Sequence, residues 1–269
     1  PNTSTSQNPS IVFNTPGTYT VTLTATNANG SDSETKTGYI IVSTPVALPL
    51  VEGFQNVTFP PAGWFLTDYN ANGTWARTTA AGGFGASTAS ALFDNYNIDE
   101  AGSRDRLSSP KYDFTGYSAA TMTFDVAYSR YNATYSDSLA VLVSTDCGAT
   151  FTQVFLKGGT TLATAPDLTT AFTPTAAQWR TESVSMTPYV GQGNVMVVFQ
   201  NRGRYGNNLY LDNINITGTG APVASVAIAQ TTGTNPMCAG ASATFTATPT
   251  NGGTTPTYSG GGGGGTYQP

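Results

Sequence analysis

The stretch YGNNLYLDNINITG, Tyr205 to Gly218, places a single acid, Asp212, among the apolar residues Leu209, Leu211, Ile214 and Ile216. A carboxylate in such a strand is costly to bury unless donors or a cation meet it. Three chemistries suit it: a catalytic acid, a metal ligand, or an acceptor for hydrogen bonds from a neighbouring loop. Glu52 in VEGF, Asp94 in ALFDNYN and Asp137 in SDSL are further acids near strand ends. The chain contains no histidine, which removes Ser-His-Asp and Cys-His nucleophiles, zinc helices and imidazole base catalysis. Catalysis would then require a carboxylate pair of the glycosidase kind, and no local signature supports one. Oxygen-only ligands favour a hard cation such as calcium. Strand-end acids also cap turns or pair with arginine, and Arg104, Arg106, Arg130, Arg202 and Arg204 are available as partners. A second chemical grouping is aromatic. Tyr128, Tyr131 and Tyr135 in AYSRYNATYSD, with Tyr205 in RGRYGNN, could form a platform on which sugars stack beside Arg130 and Arg204; strand and loop preference accounts for the same tyrosines more simply.

The elements that must position these residues are strands. Charged residues make up 9% of the 269 residues, against about 25% in an average soluble protein. Thr, Ser, Asn and Gly fill their place, a composition suited to sheets and turns. The net charge of −5 speaks against nucleic acid, which needs clustered cations. No apolar run is long enough to span a membrane, and no basic, apolar leader opens the chain. MTFDVAYSR, DSLAVLVSTD, TFTQVFLKG, WRTESVSM, NVMVVFQNR and NLYLDNINI read as short strands bounded by turn residues. They predict an all-β protein whose centre is a two-sheet jelly-roll sandwich. Trp64, Trp75 and Trp179 are expected in its core, and Cys147 as a small buried hydrophobe. Cys147 and Cys238 fall in different predicted domains, so no disulfide joins them.

Before the centre, SIVFNTPGTYTVTLTATNANGSDSETKTGYIIV predicts a hairpin of long strands with one face inward, turning at Asn-Ala-Asn-Gly. GTYTVTLTATNANGSD and its apolar return strand resemble the C-terminal half of a PKD domain, a small Ig-like sandwich. STPVALPL, with Pro45 and Pro49, is a stiff linker. VEGFQNVTFPPAGW, RLSSP, SDSLAVLVSTDCGATF, KGGTTLAT, QWRTESVSM and YGNNLYLDNINI together resemble the MAM-like jelly-roll module of the choice-of-anchor J or cleaved-adhesin type. VASVAIAQTTGTNPMCAGASATFTATPTNGG resembles the opening of an Ig-like repeat, in which the cysteine normally meets a later one that this chain lacks. The expected organisation is therefore a partial PKD-like domain at 1–44, the jelly roll at 45–219, and a truncated Ig-like repeat at 220–269. The last of these carries six glycines, Gly260 to Gly265, read as a linker or a placeholder, and the whole is taken as an internal piece of a larger protein.

These resemblances imply a non-catalytic part of a large exported surface protein of the Bacteroidota kind, of the sort carried by type IX secretion, extracellular and adhesive or ligand-binding. Glycans or other cell-surface proteins are the expected partners, with assembly among neighbouring repeats or chains. The alternative is an accessory substrate-binding region of a secreted hydrolase or metalloprotease. Resemblance to MAM-like modules also implies a structural calcium between the first and last strands of the jelly roll, held first by Glu52 and Asp212 and then by Asp94 and Asp137.

Overall fold

The computed structural model describes residues 3–98, 101–220, 225–233, 235–251, 255 and 257. The poly-glycine segment lies outside them. Two compact units, Pro1–Thr219 and Gly220–Pro269, divide the chain.

The first unit opens with a hairpin of β1 (Gly17–Asn27) and β2 (Gly30–Val42). Cross-strand hydroxyl pairs, Thr22 with Thr35 and Thr24 with Ser33, line one side. The expected buried face is not found: Leu23 is 68% exposed and Ile41 67%. No second sheet packs on it among the described residues, and two strands alone cannot enclose apolar side chains.

The sandwich follows. Its strands are β3 (Val46–Ala47), β4 (Leu50–Glu52), β5 (Phe65–Thr67), β6 (Ala76–Thr78), β7 (Ser90–Phe93), β8 (Arg106–Asp113), β9 (Tyr117–Tyr128), β10 (Ser138–Ser144), β11 (Thr152–Gly158), β12 (Arg180–Ser185), β13 (Val195–Arg202) and β14 (Leu209–Gly220). One sheet runs β11-β10-β13-β8-β3 with β5 also on β8; the other runs β12-β9-β14-β7-β6 with β4 also on β14. From β8 onward the chain crosses between sheets at every connection except the β10–β11 hairpin, as a jelly roll requires. All six strand segments anticipated above are present.

Alternation fills the space between the sheets. Met122, Phe124, Val126 and Tyr128 of β9 meet Leu139, Val141 and Val143 of β10 and Val195, Val197 and Phe199 of β13 in one cluster. Phe124 stands edge-on to Phe155 and Phe199. Each such side chain contributes about 1.5–3 kcal/mol by leaving water. Trp64, Trp75 and Trp179 are all buried; each lies one residue before a strand, and Trp179 belongs to a smaller cluster with Phe172 and Tyr210.

At the open edge, Glu182 of β12 accepts from Lys157 Nζ of β11 (2.6 Å) and Arg180 Nε (2.7 Å). Arg180 also donates to the carbonyls of Thr161, Leu162 and Ala163. The edge strands of the two sheets are thus clamped by a charged triad.

Cys147 is exposed, not buried. Asp146-Cys147-Gly148 forms a turn with Cys147 at φ +61°, a conformation that belongs to surface turns and not to a strand interior. In the second unit β15 (Ser225–Thr232) and β16 (Thr244–Thr250) form an antiparallel hairpin. Cys238, in the same unit, is exposed and free.

Candidate functional site

In β14 the inward set skips from Leu211 to Ile214, and Asn213 takes φ +46°. One extra residue has been inserted, the geometry of a β-bulge. It turns Asp212 away from the core while Leu209, Leu211, Ile214 and Ile216 remain in it. The 80–88 loop closes over the acid. Gly83 N–H and Ser87 O–H both donate to Asp212 Oδ2 at 2.5 Å, and Asn213 N–H donates to Oδ1 at 2.7 Å. Asp212 is 0% exposed and is an acceptor for loop donors, the third of the chemistries set out above.

β4 pairs with β14, Glu52 opposite Ile214, so the strand that carries Glu52 lies beside the last strand of the sandwich. Glu52 Oε1 accepts Phe54 N–H at 2.6 Å. Burial raises the pKa of Glu52, with the Asp212 charge adding to it. Burial likewise raises Asp212, with the charge of Asp125 on β9 adding to it. Asp125 accepts from Asn213 Nδ2 (2.7 Å) and Thr181 Oγ1 (2.6 Å); it was not anticipated. Glu52, Gly53, Gln55, Ser87, Asn213 and Asn215 line a hollow of about 410 Å³ with Phe84 at its rim. Among the described residues no three Asp, Glu, Cys or His side chains converge as a metal-holding set. A cation here would have to take the Glu52 and Asp212 carboxylates together with amide and backbone oxygens, a hard-donor set that suits calcium.

Asp94 and Asp137 are elsewhere. Asp94 caps its own turn, accepting Asn97 N–H (3.1 Å) and Asn97 Nδ2 (2.7 Å). Asp137 is fully buried at the start of β10. Its Oδ1 accepts Arg204 N–H (2.7 Å) and Gly206 N–H (3.1 Å), and its Oδ2 accepts Asn207 N–H (2.9 Å). The Tyr128 hydroxyl closes the other side, accepting Asp137 N–H at 2.6 Å and donating to Oδ2 at 3.3 Å. Burial pushes Asp137 up to about 6 against the pull of these donors. Neither acid joins Glu52 and Asp212.

The tyrosine platform needs correction. Tyr128 is 0% exposed: it continues the inward alternation of Met122, Phe124 and Val126 and cannot reach a ligand. Arg130 is committed to Asp167 through two bonds of 2.8 and 2.9 Å. Arg204 is exposed but does not line the cleft. Tyr131, Tyr135 and Tyr205 do come together, Tyr135 edge-on to both others at 6.3 and 6.0 Å between ring centres. With Tyr96, Asn95 and Gly206 they line an open cleft of about 680 Å³.

Asparagines hold this end of the sandwich. Asn132 Oδ1 accepts the N–H groups of Thr134 and Tyr135, shaping the first tyrosine loop. Asn207 donates to Leu168 O and Thr170 O and accepts Phe172 N–H. Asn95 and Asn201 exchange reciprocal amide bonds of 3.1 and 2.8 Å. Sequence reasoning missed Asn95, Tyr96 and Asn207; the Gly-Asn-Asn run after Tyr205 was the available signal.

Residues 1–42 match the PKD domain family. No curated protein matches the chain. Among solved structures, the K1 cleaved adhesin domain of Lys-gingipain from Porphyromonas gingivalis is similar with a TM-score of 0.48 and 21% identity, covering 64% of this chain and 99% of that one. The CBM27-1 module of Caldicellulosiruptor saccharolyticus, solved with mannohexaose, is similar at 0.44 and 14%, covering 65% and 99%. TmCBM61, solved with β-1,4-galactotriose, is similar at 0.41 and 14%, covering 62% and 94%. No helix among the described residues is long and apolar enough to cross a membrane.

Proposed function

We propose that the protein is a non-catalytic binding and adhesion module, of the MAM-like cleaved-adhesin type, from an exported surface protein, and that the tyrosine cleft takes a glycan. The observation that carries this is the convergence of Tyr96, Tyr131, Tyr135 and Tyr205 on one open cleft. Rigid aromatic faces stack on the apolar faces of sugar rings at small conformational cost, and phenolic hydroxyls serve sugar hydroxyls as donors and acceptors. Calcium at Glu52 and Asp212 is the stabilising part of the same reading, supported by the like charge that buried Asp212 sets against Glu52, which lines an oxygen-rich hollow.

Titration calorimetry with xylohexaose, mannohexaose and β-1,4-galactotriose tests the cleft. Binding of at least one sugar is expected, weakened about tenfold or more by Tyr205→Ala, since one aromatic contact is worth roughly 1–3 kcal/mol. Absence of heat with all three, or affinity indifferent to Tyr205→Ala, removes the glycan reading.

A further inference from the structure

Four of the ten cationic residues occur as two Arg-x-Arg runs, Arg104-Asp105-Arg106 and Arg202-Gly203-Arg204, and the fold lays these runs side by side. Arg106 is registered with Gln200. Asn201 N–H donates to Asp105 O, Gly102 N–H donates to Gly203 O, and Ala101 bridges Arg204. In this antiparallel register Arg104 and Arg106 flank Arg202, whose guanidinium they disfavour by like charge, after burial. Between them Asp105 is fully buried, accepting Tyr69 N–H and the Ser103 hydroxyl. None of the four arginines forms an ion pair with a carboxylate among the described residues.

The neighbours of these guanidiniums hold them in place without neutralising them. Arg106 lies 4.5 Å from the Phe151 ring centre and 5.3 Å from that of Tyr69, and its buried Nε has no hydrogen-bond partner. Arg202 donates to Gln200 Oε1 (3.0 Å) and Gln153 Oε1 (2.8 Å). In a protein of net charge −5, Arg104, Arg106 and Arg202 come together braced by rings and amides, with no carboxylate ion-paired to them among the described residues, and so keep a local field suited to a ligand anion.

We infer that the paired Arg-x-Arg runs are a binding site for the carboxylate or sulfate groups of an acidic polysaccharide. The planar forks match such groups in paired hydrogen bonds. Gln153, Tyr69 and Phe151 beside them suit the hydroxyls and ring faces of the sugar that bears the anion. This site uses residues distinct from the tyrosine cleft, and either can fail without the other.

The test immobilises the full chain and measures binding of heparin for sulfate, polygalacturonate for carboxylate, dextran as a neutral control, and an oligothymidylate. At least one acidic polysaccharide is expected to bind with an affinity that falls as salt rises. Arg104→Gln, at an exposed position, and Arg202→Gln should each weaken it about tenfold, the loss expected for a charged hydrogen bond. Melting curves verify that both glutamine variants are folded. The inference is overturned if neither acidic polysaccharide binds better than dextran, if binding survives the double Arg104→Gln, Arg202→Gln variant, or if oligothymidylate binds more tightly than both.

Discussion

Asp137 and Gly206 are packed so closely that any side chain at residue 206 would overlap the Asp137 carboxylate. The contact lets one buried acid gather the N–H groups of Arg204, Gly206 and Asn207. Gly206→Ala is therefore expected to cost about 1–3 kcal/mol, the usual range for overpacking. Chemical denaturation measures this; if the tyrosine cleft takes a glycan as proposed, binding should fall with it because Tyr205 is carried on the same loop. A variant as stable as the parent would show that the loop can move aside.

The raised pKa of Asp137 gives a direction for pH dependence. Its carboxyl titrates near 6 in the folded protein against 3.8 ordinarily. Between those values the folded state holds a proton that the unfolded chain has released. The contribution to stability is thus full below about 4 and is lost as pH rises through about 6. Asp137→Asn removes the titration. The melting temperature of the parent minus that of the variant should decline from pH 4 to pH 7; a difference that stays level or grows would contradict the assignment.

Glu182 is nearly buried between two cations, so removing its charge leaves Lys157 and Arg180 without their counter-charge. Glu182→Gln should destabilise the sandwich by roughly 2 kcal/mol, within the range for charged hydrogen bonds and tempered by the partial exposure of both cations. Urea denaturation of the variant, compared with a Lys157→Met, Glu182→Leu, Arg180→Met triple variant, separates lost pairing from lost packing. The triple variant should recover part of the loss.

If calcium occupies the hollow beside Glu52 and Asp212, a chelator should lower the melting temperature of the parent and leave Glu52→Ala and Asp212→Ala where they already stand. Identical melting of the parent with and without chelator would eliminate the metal and leave Asp212 solely as the anchor of the 80–88 loop.

Most of the sandwich could be read directly from alternation, because β9, β10 and β13 each send every second residue into the same core. Adjacency of the Glu52 strand and the last strand was expected of a jelly roll and is met in the pairing of Glu52 with Ile214, although the short β3 ahead of it joins the other sheet. Tyr128 was legible too: it keeps step with Met122, Phe124 and Val126, and that parity outweighs its proximity to Tyr131 in the chain. The bulge at Asn213 was not, since asparagine tolerates positive φ without demanding it. Nor was the engagement of Arg130, whose partner Asp167 lies 37 residues away. The Cys147 turn was signalled by Asp-Cys-Gly but obscured by the apolar run preceding it. The hairpin at 17–42 shows the converse limit, because period-two patterning reveals an apolar face and not what covers it.

The latch around Asp137 bears on the thermodynamics of recognition. Tyr128 ties the two ends of the first tyrosine loop to this carboxylate, and the backbone of the second loop hangs from the same atoms. The aromatic rings are therefore preorganised, and little ordering entropy remains to be lost when a partner docks. Selectivity at this end of the sandwich should come from rejecting shapes that do not fit, as on a matured antibody surface, more than from moulding itself around whatever arrives.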